Sequence, residues 1–286
     1  MNVTVALSDI KLSSWMADSF ESIKNLTLKE LSFPGAHNSG MDRKARISDM
    51  WRTCQYDSFR YQMDNGIRVL DIRLAYYAGT LGWHGEKYAH RHDINSGRHL
   101  HETLMAIEAF LERNPEEFII VDFHEISPAH SVPVPYEELA AYIQNRFKDK
   151  LLPYSALNLT LAQLSKSYPG RKIIIAATSE FNAKDWAWPK IGHQWIGQNL
   201  VSADELGRFI DRVMESPPSY GLWSMSATGY SVIGPTNLAG ELDSWYAASS
   251  PYQMKSNIIN VDWFDNSRLV RNCIETNIEK GRRKVS

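Results

Sequence analysis

Short apolar runs alternate with amphipathic stretches along this chain, and the apolar runs end in polar groups. The runs at 31–36, 68–74, 118–125, 171–177, 222–227 and 258–262 read as strands, several of them apolar enough to be buried on both faces. Between them the spacing turns helical, which predicts helices over 8–28, 47–64, 101–113, 136–147, 202–214 and 267–280. Asn65-Gly66 stops the second of these, Asn114-Pro115 the third, and Ser202 with Glu205 forms a capping box at the start of the fifth. Strands alternating with helices predict an α/β barrel. The stretches 84–101 and 228–256 lack periodicity and read as polar loops. No repeat, low-complexity tract or linker divides the chain. The expectation is one barrel domain over 1–286, with 1–28 a helical segment packed against its bottom.

In such a barrel the carboxyl ends of the strands converge on one site. The first run delivers His37 and Asn38, the second Asp71 and Arg73, and the segment after it His84. The run from 118 ends in Asp122, His124 and Glu125. Asp71 and Arg73 are two residues apart, so on a strand they share a face. Displacement at a phosphodiester needs a base for the attacking oxygen and an acid for the leaving one, and imidazole suits both roles. The arginine fork fits phosphate oxygens. Two imidazoles, a carboxylate and a guanidinium at strand ends therefore read as a phosphoryl-transfer site without an obvious metal.

Pro34-Gly-Ala-His37-Asn38-Ser39, Arg68-Val-Leu-Asp71-Ile-Arg73 and Trp83-His84-Gly85 together resemble the X-domain of phosphatidylinositol-specific phospholipase C, most nearly its bacterial single-domain form. The resemblance runs from about Leu31 to the C-terminal helix. It implies an irregular (β/α)8 TIM-like barrel of the PLC-like phosphodiesterase type. It implies a phosphatidylinositol diacylglycerol-lyase, in which the inositol 2-hydroxyl displaces diacylglycerol and leaves a cyclic inositol phosphate. By the same resemblance His37 is the general base, His84 the general acid and Arg73 the phosphate ligand. Asp71 orients Arg73 or a histidine, and Asp262 pairs with His37. Substrate contacts are expected from Asn38, Asp122, His124 and Glu125, and Tyr230 or Trp245 would stack on the sugar ring.

Two departures from the bacterial pattern bear on mechanism. Asn38 stands where metal-independent members carry Asp, and Asn there is a calcium ligand in calcium-dependent members. A calcium set of Asn38, Asp71 and Glu125 is the alternative. The fixed charge of Arg73 favours chemistry without metal, so no cofactor is expected. Ala177-Thr178-Ser179 also lacks the basic residue that bacterial members place there. The other functional readings are a glycerophosphodiesterase and a non-catalytic inositol-lipid binding module. The first needs a His-Arg…Glu-x-Asp pattern, and Asp71-Ile-Arg73 counts against it.

Composition narrows this further. With 286 residues, net charge −2 and 43% hydrophobic residues, the chain has room for one large barrel or two ordinary domains, and no general electrostatic case for nucleic acid or anionic membrane. No apolar run approaches the roughly 20 residues of a membrane span. Residues 1–8 lack a basic region and a long apolar core, so no secretory signal is visible and a secreted or cytoplasmic location stays open. A diacyl substrate implies transient peripheral membrane contact, and a monomer is expected. Of Trp186, Trp188 and Trp195, most are expected in the core and the remainder at the rim. Cys54 and Cys273, on predicted helices, are expected as two buried thiols. Of the histidines between 84 and 101, only His84 is expected to be catalytic, the others being solvated in a loop rather than gathered on a metal.

Overall fold

A curled sheet of parallel strands, wrapped by helices, forms the centre of the protein in a computed structural model that describes residues 6–81, 86–181 and 185–285. The chain enters through α1 (Trp15–Asp18) and α2 (Phe20–Ile23). It then builds β1 (Phe33–Ala36), α3 (Phe59–Asp64), β2 (Val69–Leu81), β3 (Glu86–His92), β4 (Ile94–His99) and α4 (Leu100–Arg113). Next come β5 (Ile119–Pro128), α5 (Tyr136–Phe147), α6 (Leu161–Ser167), β6 (Ile173–Ala177), β7 (Ala187–Pro189) and β8 (Gly192–Gln194). The chain finishes with α7 (Ala203–Glu215), β9 (Trp223–Ser226), a hairpin of β10 (Tyr230–Ser231) and β11 (Gly234–Pro235), α8 (Ala239–Trp245), α9 (Pro251–Lys255), β12 (Ile258–Val261) and α10 (Leu269–Val285).

Parallel pairing sets the order β7-β6-β5-β2-β1-β12-β9-β8. Only Lys190 and Ile191 separate β7 from β8, so one extended segment pairs first with β6 and then with β9. That segment carries the sheet round into an irregular α/β barrel. β1, β6, β9 and β12 are buried along their whole length, as strands between a barrel interior and a helix layer must be. Helices cover them with one apolar stripe each: Leu104, Ile107 and Phe110 on α4, Leu139, Ile143 and Phe147 on α5, Leu206, Ile210 and Met214 on α7. No described helix is long and apolar enough to cross a membrane.

Beneath β2 the fully buried Arg68 donates from Nε and Nη2 to Glu117 Oε2 at 2.8 and 2.6 Å. It also donates to the carbonyls of Met63, Ile67, Leu12 and Ser13. Glu117 accepts in addition from the backbone N–H groups of Met16 and Ala17. One ion pair thus ties the segment before β1 to the bottom of the barrel.

Several expected elements take another form. Residues 8–28 form turns and the two short helices α1 and α2 rather than one amphipathic helix, with Trp15, Met16 and Ile23 buried. Of 47–64 only α3 is helical, so Cys54 lies on irregular backbone. Cys54 and Cys273 are both buried and free. The stretch 84–101 is mostly the hairpin β3–β4, not a polar loop. His90 is buried there, hydrogen-bonded through Nε2 to Thr103 Oγ1 at 2.8 Å. Alternation of polar residues on a half-buried hairpin hides a strand in plain composition. The stretch 228–256 holds β10, β11, α8 and α9 rather than a long loop. Trp245 packs toward Gly207 on α7 and against the core, and it is not among the residues that line the cleft around His37 and Arg73.

This packing has two measurable consequences. Glu117→Ala leaves the buried Arg68 charge unpaired and is expected to cost about 3–5 kcal/mol in urea unfolding. The second concerns His90, whose burial, aided by Arg98, pushes its pKa down to about 3. The unfolded chain binds a proton near 6.5 that the folded chain refuses until about 3. The stabilisation is therefore complete above the ordinary value and falls by about 1.4 kcal/mol per pH unit as pH drops from there toward the folded value. Urea midpoints measured from pH 7 to 4 should fall, and His90→Gln should flatten that slope.

Candidate active site

At the end of β1 the chain turns through His37 and Asn38. Asn38 has φ 46°, a left-handed conformation that asparagine adopts more readily than most residues. The His37 N–H donates to the Val261 carbonyl, and Gln55 Nε2 donates to the carbonyls of both His37 and Val261. β1 and β12 are parallel, with Ala36 opposite Val261. The next residue on each strand is therefore carried to the same level. His37 Nδ1 donates to Asp262 Oδ1 at 2.7 Å, and both side chains are nearly buried. This fixes the tautomer with its lone pair on Nε2. Asn38 Nδ2 donates to Nε2 at 3.3 Å.

Asp71 and Arg73 follow on β2. Arg73 donates from Nε and Nη2 to the two Asp71 oxygens at 3.2 and 3.1 Å, and Asn260 Nδ2 donates to Oδ2 at 2.9 Å. Burial by itself would raise the Asp71 pKa. Arg73, with His124 and His37, outweighs burial and holds the carboxyl well below its usual range. Arg73 in turn is held firmly protonated against its own burial by Asp71.

β5 contributes through a bulge. Ile72 pairs with Phe123, but Arg73 pairs with Glu125, so His124 is the extra residue. A bulge breaks the alternation of a strand and re-aims side chains. His124 and Glu125, although adjacent, therefore both line the cleft. Asp122 lies beneath it with Oδ2 accepting from His193 Nε2 at 2.6 Å, and Ser226 Oγ lies 3.3 Å from His193 Nδ1. Burial raises the Asp122 pKa against the pull of His193. Burial also lowers that of His124, to about 3, although Asp71 opposes the shift.

The cleft has a volume of about 520 Å³ and is lined by His37, Arg73, Arg91, His92, His124, Glu125, Lys190, His193 and Tyr230, among others. The His92 ring stands edge-on to His37 with centroids 6.3 Å apart, and its pKa is lowered by burial and then by His37. Tyr230 packs between Trp51 and His92, and its hydroxyl lies 3.3 Å from Cys54 Sγ. A second cavity, about 590 Å³ and lined by Arg43, Asp49, Tyr56 and Trp263, contains none of the residues expected to function.

The fold thus brings His37, Asp71, Arg73, His124, Glu125, Tyr230 and Asp262 to one mouth. Asp122 serves from below, and Asn38 is buried against His37. His84, together with Trp83, lies outside the described residues. The calcium set of Asn38, Asp71 and Glu125 meets a cation already in position: both Asp71 oxygens accept from Arg73, and Glu125 Oε1 accepts from Ser127. Ala177-Thr178-Ser179 after β6 carries no basic residue, while Lys190 and Arg91 line the cleft. Sequence reasoning missed His193, His92, Lys190 and Asn260. Only Asn260 left a readable signal, standing near the end of the run that leads to Asp262. Trp186 and Trp188 are buried, while Trp195 is 50% exposed at the rim.

No family model matches the chain. Its curated relatives include PI-PLC X domain-containing protein 2 of Mus musculus, 27% identical over 96% of this chain and 90% of the relative. The protein of the same name from Homo sapiens is 26% identical over 78% and 79%. Among solved structures, the phosphatidylinositol-specific phospholipase C of Listeria monocytogenes superposes with TM-score 0.69 at 17% identity, covering 93% of this chain and 99% of the other. A variant of the Staphylococcus aureus enzyme superposes with TM-score 0.70 at 18% identity, covering 96% and 98%. The barrel fold is therefore that of these bacterial enzymes, while the two sequence relatives are mammalian.

The His37–Asp262 hydrogen bond carries its own test. The protein is expected to show a low-field imidazole N–H proton resonance that disappears in Asp262→Asn, where no charged acceptor holds the Nδ1 proton.

Proposed function

On the premise that this chain belongs with the PI-PLC X-domain proteins, we propose that it is a phosphatidylinositol-specific phospholipase C acting without a metal at its His37 and Arg73. The observation that carries this reading is the pair of preset groups facing one cleft: His37 oriented by Asp262, and Arg73 by Asp71. His37 Nε2 takes the proton of the inositol 2-hydroxyl. That oxygen attacks phosphorus while the Arg73 N–H groups left free by Asp71, those on Nη1 and the outer one on Nη2, bind the phosphate oxygens. The bond from phosphorus to the glycerol oxygen breaks, and an imidazole acid protonates the departing diacylglycerol. Sequence resemblance gives that role to His84. Asp262 keeps the developing imidazolium of His37 in place, as a carboxylate behind a histidine base does.

Membrane contact is assigned to apolar groups around this mouth. Trp195 lines the cleft, and Val232 and Ile233, 82% and 66% exposed, form the tip of the β10–β11 hairpin whose Tyr230 also lines it. The docking is transient and made through these side chains.

The test is turnover of phosphatidylinositol in mixed vesicles, read by phosphorus NMR in excess chelator and then in calcium. A cyclic inositol phosphate formed in chelator is the expected result, and activity confined to calcium would sink the metal-independent mechanism. His37→Gln should lower kcat by about 10²–10⁴-fold while vesicle binding persists. Binding with no turnover by the unmutated protein would instead favour a lipid-binding module. His84→Gln should lose activity that a substrate with a more acidic leaving group restores; rescue of His92→Gln in its place would move the acid to the hairpin.

A further inference from the structure

Asp122, His124 and His193 stand together on the floor of the cleft, beside but separate from the pairs that the proposed reaction uses. Their ligand atoms, a carboxylate oxygen and one ring nitrogen from each histidine, all lie within 4.8 Å of one another. The two histidine rings are 4.2 Å apart between centroids. Asp122 and His124 come from β5 and His193 from β8, so two strands that do not pair with each other supply the set. Two of its polar atoms are unaccounted for among the described residues. Asp122, only 1% exposed, has Oδ1 without a partner, and the buried Nδ1 of His124 has none either. Such buried, unpaired polar atoms call for an explanation, and a bound ion is one.

We propose that Asp122, His124 and His193 bind a zinc-class divalent ion on the floor of this cleft, independently of the phospholipase reading. Two imidazoles and a carboxylate suit zinc, cobalt or nickel, whereas calcium and magnesium seek oxygen ligands. The nearby charges suit a cation: the Asp122 carboxylate is bonded to His193, the Asp71 carboxylate acts on it from nearby, and Lys190 acts more weakly, while Asp71 already pairs with Arg73. Tetrahedral zinc with nitrogen and oxygen ligands near 2 Å sets its ligands about 3.3 Å apart. The Asp122–His193 pair, at 2.6 Å, would open slightly and His124 would move in. Each histidine must be neutral, so binding releases any proton shared in that pair. Three protein ligands leave a fourth position, and His124 and His193 both line the cleft, so that position faces the space where a hydroxyl or phosphate oxygen would sit.

The same chain offers a rival cluster, His37, Cys54 and Asp262, whose thiolate would mark it. The experiment is calorimetric titration of chelator-treated full-length protein with zinc chloride alone, without lipid, repeated with calcium chloride, and cobalt substitution read in the visible spectrum. One zinc per chain is expected, with tetrahedral cobalt bands and no sulfur charge-transfer band. His193→Gln and His124→Gln should each weaken zinc binding by more than about tenfold, and Cys54→Ala should leave it unchanged. Cobalt spectra of the unmutated protein decide the ligand type even where a variant folds poorly. No zinc binding, equal binding of calcium, or binding abolished by Cys54→Ala alone would overturn the proposal. Because no substrate is present, its failure leaves the proposed reaction untouched, and failure of that reaction leaves this site standing.

Discussion

Asp71 is the charge on which the site depends. It is almost wholly buried at the mouth of the barrel, where an unpaired carboxylate would be costly. Arg73 and Asn260 saturate it, and their bonds hold side chains of β2 and β12, the two strands flanking β1, at one level. Remove that carboxylate and Arg73 has no reason to keep its fork in position, while Asn260 loses the acceptor for its amide. The ion pair is worth little as stability and much as geometry, because breaking one half is far worse than never having made it.

Parallel register does the rest. Gly35 is opposite both Asn260 and Val69, and Asp71 is opposite Asp122. Each strand thus presents its last inward residues at a shared height. The room for this comes from the small residue on β1: a Cβ on Gly35 would meet Asn260 Oδ1 at 3.1 Å. The bulge at His124 then adds what strict alternation forbids, two neighbouring side chains on one wall.

Much of this was legible in the chain. The strands at 31–36, 171–177 and 258–262 are short apolar runs flanked by helices with marked starts, and Ser202 with Glu205 caps α7 as its spacing requires. His37 and Asp262 stand next to each other in space because both follow strands, which a strand-end rule can find. His193 and Lys190 escaped because β7 and β8 are three residues each, too short to carry a period. His92 escaped because a polar hairpin has the composition of a loop. The segment 47–58 has helical spacing of apolar residues, but Gln55, Thr53 and Cys54 are spent on tying loop backbone and side chains together, and long-range bonds overrode local propensity.

Everywhere else in the ring, neighbouring strands are held side by side by hydrogen-bond ladders. Between β7 and β8 the described residues show no ladder; the circuit is made by the covalent run through Lys190 and Ile191. The barrel is in this sense a hoop fastened by its own thread. Its circumference at that point is set by the length of two residues, one exposed and one buried, both on the cleft wall. A single peptide cut there would turn a closed ring into an open strip, whereas a cut in a surface crossover would leave the ring closed.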